Sequence, residues 1–74
     1  MIPLITLKPE NKALFVTCNL PDLNSKLADF GMIPGSVWRL IRKIPFSGPL
    51  VLSNGNTRIS VRMEDASSIF MDPA

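Results

Sequence analysis

The residue types that ordinarily do chemistry are thin in this chain. Histidine and tyrosine are absent, and Cys18 is the single cysteine. A thiol becomes a nucleophile beside a base, and Cys18 has no basic neighbour in sequence, so the usual general bases and nucleophile pairs are missing. A zinc site needs about four nitrogen or sulfur ligands, which one cysteine without histidine cannot supply. What remains for a cation is oxygen, and Glu64, Asp65 and Asp72 are the carboxylates that could offer it. They stand near a short helical turn and near the chain end, where acids are ordinarily solvated charges. The glycine-lysine pattern of a phosphate-binding loop is absent as well. The chain is therefore expected to be no enzyme, to carry no cofactor and to hold no metal tightly.

The basic residues point to a second chemistry, the binding of nucleic acid. Eight Lys and Arg against six Asp and Glu leave a net charge of +2, with a pI near 9.1. Arg39, Arg42 and Lys43 form the densest group. They would neutralise about three phosphates, whereas tight binders contact roughly six to ten. Phe15, Trp38 and Phe70 fall on apolar strand positions, which suits core packing better than base stacking. No nucleic-acid partner is expected.

These absences move attention to the elements that would carry a binding surface. At 74 residues the chain can bury only about 60% of its unfolded surface, enough for one modest core, so residues 1–74 read as a single domain. Seven prolines and four glycines are spread along it as punctuation between short strands. Cys18 lies in an apolar, β-prone run where a buried, reduced thiol is the ordinary outcome, which fits the cytoplasm. Met1 to Leu7 is too short for a signal-peptide core, and no run approaches the ~20 apolar residues of a spanning helix, so no membrane insertion is expected.

Ala13 to Cys18 reads as the first strand and Ser36 to Ile44 as the second, with Trp38, Leu40 and Ile44 on the inner face and Val37, Arg39, Ile41 and Lys43 on the outer. Between them, Asp22 as cap and Leu23, Leu27 and Phe30 at helical spacing predict a helix from about Asp22 to Phe30, closed by Gly31 in a left-handed conformation. Pro34-Gly35 then suits a type II turn, with glycine accepting the positive φ. Leu50 to Leu52 and Thr57 to Arg62 flank Asn54-Gly55, a strong hairpin signal because both residues tolerate positive φ. Glu64 to Ala66 reads as a helical turn, and Ile69 to Met71 as a last short strand before Pro73. Closing such strands into a barrel would remove their edges. The expected fold is all-β with one or two short helices, an SH3-like small β-barrel of about five strands. A helix lying across one barrel mouth leaves a groove beside it that could hold a partner peptide.

Five segments in this order resemble the FeoA family, accessory proteins of bacterial ferrous-iron uptake. They are Leu27 to Ser36, Trp38 to Arg42, Ile44 to Pro49, Leu50 to Asn56, and Val61 to Ile69. Two departures stand out. Ser47-Gly48-Pro49 replaces the usual Gly-Asp-Pro, and Ile44 replaces a common alanine, so no role of that loop carboxylate carries over. The resemblance implies the same SH3-like fold and a noncatalytic, cytosolic interaction module that docks on the GTPase-containing region of a FeoB-type membrane iron transporter. It also carries a family-level association with transition metal ions, to which no residue here is assigned. Iron specificity would then belong to the partner.

Two other classes compete. Similar barrels form the C-terminal effector domain of iron-dependent repressors, but this chain begins with Met1 and offers no DNA-binding helices before the barrel. The weak nucleic-acid-binding barrel is disfavoured by the charge count. The partner contact is expected at the helix and the turn after it, through Lys26, Leu27, Phe30, Met32 and Ile33, because contacts concentrate where loops leave a rigid scaffold. Met32 and Ile33 are the sharpest candidates, as an exposed apolar pair. The basic strand face at Arg39 and Lys43 is the alternative.

Overall fold

The computed structural model describes all residues 1–74. Strand β1 (Ile2–Pro3) leads into a 3-10 turn (Leu4–Thr6), followed by β2 (Lys12–Cys18), helix α1 (Pro21–Asp29), β3 (Val37–Lys43), β4 (Leu50–Ser53), β5 (Arg58–Val61), the short helix α2 (Met63–Ala66) and β6 (Ile69–Pro73). All pairings are antiparallel, in the spatial order β1-β6-β2-β3-β4-β5. Overall extents of 27 × 23 × 23 Å show that the sheet is strongly curled, not a flat layer. Sixteen buried residues, all apolar, form one cluster inside the curl.

The sheet does not close. It has six strands, not about five, and β1 and β5 are left at its two ends. The N-terminal segment supplies the unexpected strand, and Leu4 and Leu7 bring it into the core. Its two-residue length carries no alternation for a sequence reading to detect. Pro73 does not end β6 early either, because it lies within the last strand, opposite Ala13.

Two bulges decide which side chains face inward. In β2 the register shifts between Phe15 and Thr17, so Ala13, Phe15 and Cys18 all reach the core despite their uneven spacing. In β3 it shifts between Leu40 and Arg42. Trp38 and Leu40 are fully buried as expected, but beyond the shift Lys43 pairs with buried Leu50 and turns to that side. Directly opposed residues share a face. The Lys43 ammonium donates to the Ile5 carbonyl at 2.7 Å, and so ties β3 to the N-terminal 3-10 turn. Ile44 is only half-buried and is no third member of the Trp38 face. The outer basic face thus loses Lys43, for a reason the strict alternation of an ideal strand hides.

The segment between helix and strand follows the expected logic closely. Phe30 caps α1, Gly31 has φ +92°, and the amides of Gly31 and Met32 donate to the carbonyls of Ala28 (3.0 Å) and Leu27 (2.9 Å). That is the pair of bonds of a glycine-terminated helix end. The N-terminal end differs: Leu20 is the capping residue, no side chain caps the helix, and Pro21 occupies its first turn together with Asp22. Proline there costs nothing, since the missing N–H would be unpaired anyway. The Pro34-Gly35 turn is closed by the Ser36 amide on the Ile33 carbonyl (3.0 Å), with Gly35 at φ +88°. It is stitched to β2 by Gly35 N–H to Phe15 O (2.9 Å) and Phe15 N–H to Ser36 O (2.9 Å). Ser36 Oγ donates to Ile33 O (2.6 Å) and accepts from the Trp38 indole N–H (3.0 Å), so the buried indole keeps its partner.

In the β4–β5 hairpin only Gly55 takes a positive φ (+98°). Asn54 instead uses its side-chain oxygen to accept from the amides of Asn56 (2.9 Å) and Thr57 (2.7 Å), which builds an Asx turn within a longer loop than Asn-Gly alone requires.

Candidate partner-binding surface

Helix α1 is attached to the sheet by little. Leu27 is its one buried residue, Leu23 packs partly on the core, and the rest of its surface is open. Between α1 and β5 lies a groove of about 590 Å³. Leu23, Leu27 and Phe30 form its helix wall, Ile59 and Val61 its sheet wall, and Lys26, Arg62, Asp22 and Asp65 bring charge to it. Phe30, 53% exposed, and Leu20, 40% exposed, are the large apolar groups left standing at the rim.

Of the residues expected from the sequence, Lys26, Leu27 and Phe30 come together at this groove. Met32 does not. It is 1% exposed, among the largest fully buried side chains, and cannot form an exposed pair with Ile33. The reason is the helix end itself: the left-handed Gly31 folds Met32 back so that its amide meets Leu27, and the apolar residue after such a glycine characteristically packs on the residue three before the cap. A glycine stop followed by methionine was the signal that could have placed it inside. Ile33 is half-exposed on the Pro34-Gly35 turn, outside the groove. Arg39 belongs to a different surface. It lies opposite Lys12 and Ser53 in a smaller hollow of about 250 Å³ and reaches Glu10 at 3.9 Å, an exposed pair that contributes little. Lys43 is held by Ile5, as described above.

One exposed aromatic escaped sequence reasoning. Phe46, fully exposed, tops the β3–β4 loop, where it and Ser47 both take left-handed φ values (61° and 62°). Ser47 stands at the position where the family pattern carries glycine. A Cβ on Gly48 would lie 2.6 Å from Ile44 Cβ and Cγ2, so the glycine is required by close approach. Both departures from the pattern thus meet in one tight loop.

The carboxylates do not converge. No group of three or more Cys, Asp or Glu side chains is placed to hold a metal ion. Asp72 instead lies 3.1 Å from the N-terminal ammonium of Met1. Cys18 is buried, with its thiol directed at the Leu20 carbonyl (3.7 Å). No helix is long and apolar enough to cross a membrane.

The family model described as FeoA domain matches residues 2–73. No curated protein sequence matches significantly. Among solved structures, FeoA from Chlorobium tepidum is 20% identical, with TM-score 0.89, covering 97% of this chain and 70% of that one. FeoA from Stenotrophomonas maltophilia, solved with zinc and described as a prokaryotic SH3 domain protein, is 22% identical, with TM-score 0.79, covering 97% and 91%. A manganese-dependent transcriptional repressor is 14% identical, with TM-score 0.83, covering 97% of this chain but 41% of the repressor. The repressor likeness is one of fold.

Proposed function

Because this chain belongs to the FeoA domain family, we propose that it is a noncatalytic accessory protein of bacterial ferrous-iron uptake that docks on the cytosolic, GTPase-containing region of a FeoB-type transporter. The observation that carries this reading is the α1–β5 groove, with Phe30 exposed at its rim. Accessory proteins act through surfaces, and an apolar groove walled by a lightly anchored helix supplies one. The contact surface is Lys26 and Phe30 with Leu20, while Leu27 holds the helix in place from beneath. Ile33 and Arg39 lie outside the groove and serve as controls.

The test is a pull-down of the transporter's cytosolic region, paired with ferrous-iron uptake in cells. Phe30→Asp, which removes an exposed ring, is expected to leave the circular dichroism spectrum unchanged and to abolish both binding and uptake stimulation. A folded Phe30→Asp protein with full binding and uptake would reject the groove as the docking site. The likeness to repressor domains favours a second reading, a metal-responsive effector module. Anaerobic titration with ferrous iron separates the two, since stoichiometric, submicromolar binding by this chain alone would favour the effector module.

A further inference from the structure

Strand β5 ends the sheet on the groove side, with β4 as its sole hydrogen-bonded neighbour. In an antiparallel pair, residues alternate between bonding inward to the partner strand and pointing their backbone groups away from it. The Asn54 amide donates to the Thr57 carbonyl, which sets the phase of that alternation. Counting from it, Ile59 and Val61 bond to Leu52 and Leu50, whereas the amides and carbonyls of Arg58 and Ser60 face the open edge. The side chains alternate too. Ile59 and Val61 are buried toward α1 and the core, whereas Arg58, Ser60 and Arg62 are exposed, Ser60 and Arg62 along the border of the groove.

This edge is marked by charge. The only ion pairs in the molecule are Met1–Asp72 and Arg39–Glu10, so Arg58, Arg62 and the facing Lys26 have no carboxylate within 4.0 Å. Asp22 and Asp65 also border the groove, but they come from α1 and α2 and leave these cations unpaired. A second copy of the chain is a poor occupant. Two β5 edges paired about Ser60 would set Arg58 of each copy opposite Arg62 of the other, and like charges directly opposed are destabilising.

We infer that the free edge of β5 takes an extended partner segment as an added strand, one whose residues alternate between acidic and aliphatic. Its backbone pairs with Arg58 and Ser60, its acidic side chains lie beside Arg58 and Arg62, and its aliphatic side chains continue the Ile59–Val61 face toward Leu27 and Phe30. This rests on the docking reading given above and names the kind of segment that the partner presents.

The probe is the synthetic hexapeptide Asp-Val-Glu-Val-Asp-Val, capped at both ends, titrated into the full chain and followed by amide hydrogen exchange. Saturation is expected to slow exchange at Arg58 and Ser60 at least tenfold, with no comparable change at Ile59 and Val61. Ser60→Pro deletes only an edge-facing donor, a position where strands tolerate proline, and is expected to weaken peptide binding at least tenfold. Arg58→Glu with Arg62→Glu is a second route that spares the backbone, and should shift preference to the same peptide with lysine for each acid. Unchanged exchange at Ser60, or peptide binding indifferent to both variants, would overturn the inference. Self-association abolished by Ser60→Pro would overturn it in favour of a second copy. The transporter's cytosolic region is titrated in parallel. If it binds wild type and Ser60→Pro equally, the edge is wrong and docking stands; if the peptide adds to the edge and the transporter region binds neither form, docking is wrong and the edge stands.

Discussion

Ser36 offers the sharpest test of how the fold is held, because one hydroxyl serves both the turn and the core. Its oxygen accepts the indole N–H of Trp38, a residue with no exposed surface, and the Ile33 amide (3.1 Å), while its hydroxyl hydrogen goes to the Ile33 carbonyl. Ser36→Ala removes all of this without changing the backbone. The exposed turn bonds can be replaced by water and are worth about 0.5–1.5 kcal/mol together, while the buried indole N–H left without an acceptor costs about 1–3 kcal/mol. The expected loss is therefore about 2–4 kcal/mol. Trp38→Phe removes the donor, so in that background Ser36→Ala should cost only the turn component, about 1 kcal/mol. The coupling between the two sites is then about 1–3 kcal/mol, well above the ~0.3–0.5 kcal/mol within which independent sites add. Urea unfolding of wild type, both single variants and the double variant, followed by circular dichroism because Trp38 is the sole tryptophan, measures it. Additive losses would refute the claim that Ser36 is the partner of the indole.

Further expectations follow from the same geometry. A Cβ at Gly35 meets no atom within 4 Å, so the cost of Gly35→Ala is the disfavoured left-handed φ, about 1–2 kcal/mol or roughly 5–15 °C in Tm; an unchanged Tm would reject the type II turn. Ser47→Gly should stabilise by about 0.5–1 kcal/mol, the relief of left-handed strain exceeding the added chain entropy, and a fall in Tm would contradict the assigned φ. Met32→Asp, placing a charge at a fully buried site, should unfold the protein, whereas Ile33→Asp should leave the fold intact and the stability within about 0.5 kcal/mol of wild type; a folded Met32→Asp protein would refute the placement of that side chain.

The parts of the structure that were legible in the sequence are those decided by neighbours. Gly31 ends the helix, Pro34-Gly35 turns the chain, and Trp38 and Leu40 face inward because a few adjacent residues leave no alternative. What escaped was decided at a distance. Lys43 turns inward because of a bulge and is held by a carbonyl 38 positions away. Strand β1 exists only because β6 returns to pair with it. The open sheet is of the same kind: nothing local says whether β5 will meet β1 or stop at the groove. Met32 lay between the two cases, since its burial follows from a local motif whose apolar contact carries no periodic signature. Phe46 carried no signal at all, being one aromatic in a loop.

The spatial order β1-β6-β2 places the last strand of the chain between the first two. A ribosome delivering this chain from the N-terminus makes β1 and β2 early, yet neither can take its native neighbour on that side until residues 69–73 emerge. Leu4, Phe15 and Cys18, which the finished fold buries, are without β6 until then. The β2–β3–β4–β5 meander pairs only consecutive strands and can form as it appears, while the seam that joins both ends of the chain waits for the last residues. Loss of the final six residues would therefore not trim an edge. It would remove the strand against which the N-terminal segment docks, and leave a growing or truncated chain with β1 unpaired and one edge of β2 open to aggregation.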